Sequence, residues 1–263
     1  SEFTLYYGIG GADYRNEGTH RNYCRFVGRL NAVLRDAKPV RPILIYYPIE
    51  ELQSEFRPYN GSLTDLSKQS ERAQQIVHSF NTIGAGLSRV QTSFCLIDRD
   101  TLKNLTNDPS DSEEANRLKG MFTGVIFPRW SEKIDYGWTD PNFREYWVEE
   151  DKPLDAWEDV ARELGAFSGP RLTPEPSAPN LIEGTFEREG RLVFLLSNAD
   201  SVDWSGTLRM TGVGADVSFA SEPWTVLDPQ SGSICSFEAD DFSFPVKLAG
   251  RQTLFFVSPE MKR

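Results

Sequence analysis

The side chains with the most chemistry to offer crowd into one stretch near the start of the chain. Asp13, Tyr14, Arg15, Glu17 and His20 follow closely on Tyr6 and Tyr7. Carboxylates beside aromatic rings, beyond the end of a strand, are the equipment of a carbohydrate site. The acids serve as acid, base or hydroxyl ligand, and the ring faces stack on sugar C–H surfaces. An acid pair that cleaves glycosides needs its carboxyls roughly 5–10 Å apart, and spacing in sequence does not set that distance. The stretch is therefore read as a set of candidate ligand contacts: Tyr7, Asp13, Tyr14, Arg15, Glu17 and His20. An acid pair Asp13/Glu17 and a solvated loop stay open beside it. Trp130 and Trp138, with Trp204, are candidate stacking platforms; the alternative for each is core packing.

Other chemistries find less support. Gly8-Ile9-Gly10-Gly11 invites comparison with a dinucleotide fingerprint, but Asp13 stands where the third small residue is needed. No Gly-x-Ser-x-Gly elbow is present. Cys95 sits inside an apolar run, not on a sharp turn, which disfavours a thiol nucleophile. The two histidines, His20 and His78, form no relay or metal spacing, and His78 is expected on a helix surface or half buried. Cys24, Cys95 and Cys235 are odd in number and far apart, so buried thiols are expected instead of a disulfide framework. Asp98 and Asp100 stand just past a strand, where a helix cap is the simplest role. No catalytic residue, metal ligand or cofactor is assigned.

Composition narrows the partners. The 263 residues carry a formal net charge of −11, which repels phosphate backbones and argues against nucleic acid. No basic amphipathic stretch marks a membrane surface, and no apolar run approaches the ~20 residues of a membrane span. No signal-peptide pattern opens the chain. The sequons at Asn60 and Asn104 are too common by chance to assign a compartment. Hydrophobic residues at 39%, with 17 Phe and 6 Trp, suffice for ordinary cores.

The elements that must position these residues follow from periodicity. Phe3 to Gly8 reads as a short strand. Tyr23, Phe26, Val27, Leu30, Val33 and Leu34 recur at spacings of three and four, one apolar helical face. Thr19 is its expected cap, and Lys38-Pro39 its end. Pro42 to Pro48 encloses an uninterrupted apolar run, suited to a strand buried on both faces. Leu66, Ala73, Ile76, Val77, Phe80 and Ile83 mark a second amphipathic helix, with Gly84 and Gly86 as its expected stop. Ser93–Ile97 and Val125–Pro128 read as further buried strands. The pattern predicts a parallel α/β sheet in which the stretches near 43, 94 and 125 lie side by side. Residues 129–157, rich in Trp and Tyr among charges, read as a covering excursion, with a short helix over 154–164. The proline-rich 170–179 reads as a linker. Beyond it, strands are predicted near 181–187, 191–197, 204–210, 215–219, 223–227, 233–237, 243–248 and 252–257, a sandwich pattern.

Three segments resemble the C-terminal part of large bacterial glycoside hydrolases of the α-L-rhamnosidase-like and β-galactosidase-like group. They are Tyr23–Leu34 with Ile43–Pro48, Ser93–Leu102, and Gly190–Asn198 with Leu227–Gly232. The resemblance implies a barrel-like strand and helix remnant over 1–38 that packs on the next domain. It further implies a flavodoxin-like (Rossmann-like) α/β domain over 39–169 and an antiparallel β-sandwich over 180–263. It places the family's catalytic carboxylates upstream of Ser1, so no catalytic residue carries over. Related β-galactosidases use such a domain for oligomer contacts, which makes a homo-oligomer or a missing catalytic barrel the implied partner. The chain departs from the pattern at 129–157.

Three functions are weighed. The first is a non-catalytic C-terminal region of a glycoside hydrolase-like protein, structural or supporting a carbohydrate site. The second is a carbohydrate-binding module using exposed aromatics. The third is a small α/β hydrolase active on its own, against which the missing nucleophile motif counts.

Overall fold

A computed structural model of the chain describes residues 17–40, 43–60, 65–107, 120–134, 143–213, 218–238 and 243–262. The chain divides into two compact units, one of residues 40–169 and one of residues 1–39 with 170–263. Its first described elements, helix α1 (Glu17–Leu34) and strand β1 (Lys38–Pro39), belong to the second of these.

The α/β unit is built on four parallel strands: β2 (Ile43–Tyr46), β3 (Phe94–Ile97), β4 (Gly124–Phe127) and β5 (Arg144–Trp147), in the order β3-β2-β4-β5. Ile43 pairs with Phe94, and Leu44 with Val125, so the three apolar stretches lie side by side and parallel as the periodicity predicts. All four residues of β2 and all four of β4 are buried. That explains why they read as continuous apolar runs and not as alternation. Helices α2 (Ile49–Glu55), α3 (Glu71–Arg89), α4 (Arg99–Asn107) and α5 (Trp157–Glu163) belong to the same unit. Ile43, Ile45 and Ile126 pack against Ile83 and Leu87 of α3 and Trp157 and Val160 of α5. Leu44, Tyr46, Val125 and Phe127 pack with Leu102 of α4 on the other face.

Two readings of this unit need correction. The 129–157 segment is more than a cover: Arg144–Trp147 forms the fourth parallel strand, Gly124 pairing with Arg144. Gly84 and Gly86 do not stop α3, which runs on to Arg89. Gly86 is required instead by the Trp157 indole beside it, where a Cβ would stand 2.0 Å from Cδ1. The α3 start is set by Ser70, whose hydroxyl accepts the Ala73 N–H at 3.0 Å.

Among the described residues, every strand pairing of the second unit is antiparallel. A six-stranded sheet runs β1, β7 (Leu181–Arg188), β8 (Arg191–Asn198), β14 (Thr253–Val257), β11 (Trp224–Leu227), β12 (Ile234–Phe237). A three-stranded sheet runs β13 (Ser243–Leu248), β9 (Trp204–Thr211), β6 (Arg171–Glu175); a short pair joins β10 (Ser218–Phe219) to β15 (Met261–Lys262). The two larger sheets meet through aromatics: Phe244 of β13 lies 5.7 Å from Trp224 and 5.3 Å from Phe256, ring centre to ring centre.

The residues expected as a proline-rich linker hold β6, where Pro174 sits on an edge strand and so removes no interior ladder bond. Helix α1 is held by the sandwich unit. Arg29 Nη1 donates to the carbonyls of Pro229 and Gln230, each at 2.9 Å, and Arg188 Nη1 to those of Ala32 and Val33. The helix ends at Leu34, and Lys38-Pro39, expected as its stop, forms β1 on Glu187 and Phe186. Thr19 lies within α1 and is not its cap. Of the thiols expected to be buried, Cys24 and Cys235 are exposed and Cys95 is half buried. Among the described residues no helix is long and apolar enough to cross a membrane.

Candidate functional site

In parallel sheets, ligand groups gather beyond the C-terminal strand ends, at the point where successive connections take opposite faces. Here that point lies between β2 and β4, because α3 covers one face and α4 the other. After β2 come Tyr47, Pro48 and then α2, carrying Glu50 and Glu51. After β3 come Asp98, whose carboxylate accepts the Thr101 N–H at 2.7 Å, and Arg99. After β4 come Arg129, Trp130, Ser131 and Glu132.

Arg99 gathers three carboxylates from these loops. Its Nη1 lies 2.9 Å from Glu50, and its Nη2 3.1 Å from Glu132 and 3.4 Å from Glu51. Glu51, with a side chain only 1% exposed, also accepts the Glu132 N–H at 3.1 Å and the Tyr46 hydroxyl at 3.2 Å. Burial pushes the Tyr46 phenol up to about 12, with the Glu51 charge adding to the effect. The phenol therefore stays a neutral donor across ordinary pH. The arrangement ties β2, α2, α4 and the loop after β4 together. It leaves Glu51 out of reach of solvent, with the Tyr46 hydroxyl, the Arg99 guanidinium and the Glu132 N–H around its carboxylate.

On the α3 side the character changes. Trp130 has a left-handed backbone, φ 68°, and remains 48% exposed. Its indole N–H donates to Gln75 Oε1 at 2.8 Å, and the Arg129 guanidinium sits 5.4 Å from its ring centre. The Arg129 N–H donates to Ser79 Oγ at 2.9 Å. Tyr47, 37% exposed, rests against Phe80 with ring centres 5.5 Å apart. His78 Nε2 is 3.9 Å from Asp151, both side chains open to solvent. Between α2 and α3 opens a separate pocket of about 220 Å3, lined mainly by Leu52, Phe56, Tyr59, Leu66 and Val77.

Of the candidate contacts named from the sequence, Trp130 and Trp204 have placed side chains. Tyr7, Asp13, Tyr14, Arg15 and Trp138 lie outside the described residues; Glu17 and His20 belong to α1, but their side chains lie outside the description. Trp204 is half buried against Gly206, where a Cβ would stand 2.5 Å from Cζ2. The Arg99 cluster escaped sequence reading because its members are scattered from position 46 to 132 without a motif. The usable signal was a charged residue directly after each apolar run. Among the described residues no group of His, Cys, Asp and Glu could hold a metal.

No protein-family model matches the chain, and no curated protein matches it. Solved structures do. A β-galactosidase from Bacillus circulans sp. alkalophilus aligns at TM-score 0.48 and 9% identity over 89% of this chain and 44% of that one. A rhamnosidase from Novosphingobium sp. PP1Y aligns at TM-score 0.45 and 12% identity over 93% of this chain and 25% of that one. A GH42 β-galactosidase from G. stearothermophilus aligns at TM-score 0.41 and 8% identity over 86% of this chain and 41% of that one. The chain spans less than half the length of each.

Proposed function

We infer that this chain is a non-catalytic part of a glycoside hydrolase-like protein, serving as structural support for a carbohydrate site or for assembly. The observation that carries this reading is the Arg99 cluster. The acids at the sheet's C-terminal edge are spent on a guanidinium, a phenol and a backbone amide. Two further features support it. The strand order, 2-1-3-4 counted along the α/β unit, is the opening of the flavodoxin-like order. Helix α1 carries an amphipathic stripe, yet Phe26, Val27, Leu30, Val33 and Leu34 are only half buried, which suits a helix made to meet more protein, a catalytic barrel or a second copy.

The test is direct. The purified chain is incubated with nitrophenyl β-galactoside and nitrophenyl α-rhamnoside across pH 4–9. The expected result is no release of nitrophenol above buffer. Turnover by the unaltered chain that disappears in Glu51→Gln overturns the reading.

A further inference from the structure

We propose that Trp130 is the stacking platform of a saccharide-binding site on the α3 side of the β2/β4 crevice. The inference rests on the carbohydrate reading above and gives it a location.

Four observations carry it. A bulky L-residue adopts a left-handed backbone at an energetic cost, and such residues persist where the surroundings hold them. Trp130 is held: its indole N–H is fixed on Gln75, and its backbone neighbour Arg129 is fixed on Ser79. With its edge bonded and a guanidinium near its ring, an indole still 48% exposed turns apolar area to water that burial would otherwise remove. Tyr47, leaving the adjacent strand, stands half exposed against the same helix. Gln75, His78 and Ser79 share one face of α3 by their spacing, so the helix face that fixes the Trp130 indole also carries the exposed His78–Asp151 pair.

The chemistry selects the ligand. A rigid ring face beside donors and acceptors of both charges suits a neutral polyhydroxylated ring, whose C–H face stacks while its hydroxyls bond at the rim. The acidic chain, net −11, disfavours a polyanion in the same place.

The experiment titrates the whole chain with β-1,4-galactotetraose, cellotetraose and maltotetraose, read by calorimetry and tryptophan fluorescence. At least one is expected to bind in the millimolar range or tighter. Trp130→Ala should weaken that binding tenfold or more, Trp130→Phe should restore part of it, and Gln75→Ala should weaken it about threefold by freeing the ring. Circular dichroism melts of each variant establish that it is folded. Absence of binding by all three sugars, or binding unchanged in folded Trp130→Ala, overturns the site. Nitrophenyl glycoside turnover with Trp130-dependent binding intact would remove the non-catalytic reading and leave this site standing.

Discussion

Gly86 lies directly beside the indole of Trp157: a Cβ built on the glycine would stand 2.0 Å from Cδ1 and 2.3 Å from Cγ. Helix propensity alone favours alanine over glycine by about 1 kcal/mol. The ring is buried and has nowhere to move, so overpacking wins, at about 1–3 kcal/mol. Gly84, two residues earlier and facing Phe94, would place its Cβ at an ordinary 3.6 Å. Urea unfolding is expected to show Gly86→Ala clearly destabilised and Gly84→Ala neutral or slightly stabilised. Equal effects of the two would contradict the close approach.

The sandwich holds an acid that should make stability depend on pH. Glu183 of β7 is buried, and the Thr185 hydroxyl donates to it. Burial pushes its carboxyl up to about 7 from an ordinary 4.5, against the opposing pull of Thr185 and of the Arg171 charge. The folded state therefore binds more protons than the unfolded state between those values. Stability is full below about 4.5, falls as pH rises to about 7, and then levels, a loss on the order of 3 kcal/mol. Glu183→Gln is expected to flatten that slope and to be the more stable protein at pH 8. A wild-type profile flat between pH 5 and 8 would count against the assignment.

Asp98 gives the opposite sign. The Thr101 N–H holds its carboxyl below the ordinary 3.8. The cap's contribution is present above that value and is lost as pH falls through the folded pKa. Asp98→Ala should cost about 1 kcal/mol near neutral pH, and the difference from wild type should shrink on acidification. Asp98→Ser should recover most of the loss. An Asp98→Ala penalty unchanged down to pH 2 would show that the carboxylate charge is not involved.

The two central strands, β2 and β4, were legible because strands buried on both faces must be apolar throughout. Strand β3 carries an apolar run as well, yet it lies at an edge with Leu96 exposed, so its reading as a buried strand went too far. Strand β5 was not legible, because Arg144-Glu145-Tyr146-Trp147 lies at a sheet edge with its first two side chains exposed. Nor was β6, because prolines that end most strands are tolerated at an edge. Trp130 was legible as a candidate from its type and its place just past a strand. Its partner Gln75 was not, since 55 positions separate them. Glu51 reads as an ordinary helical acid until the fold brings Tyr46, Arg99 and the Glu132 amide around it.

The claim that these acids hold the sheet edge together, and do no acid–base work, is tested most directly by a double-mutant cycle on Glu51 and Arg99. Denaturant unfolding of Glu51→Gln, Arg99→Met and the double variant is expected to give losses of about 1–3 kcal/mol for the first. Arg99→Met, which strands a buried carboxylate, should lose about 3–5 kcal/mol. The double variant should lose less than the sum, with coupling of about 1–3 kcal/mol. An acid kept for chemistry behaves differently, since its removal commonly raises stability. A Glu51→Gln protein more stable than wild type, uncoupled from Arg99, would contradict the account.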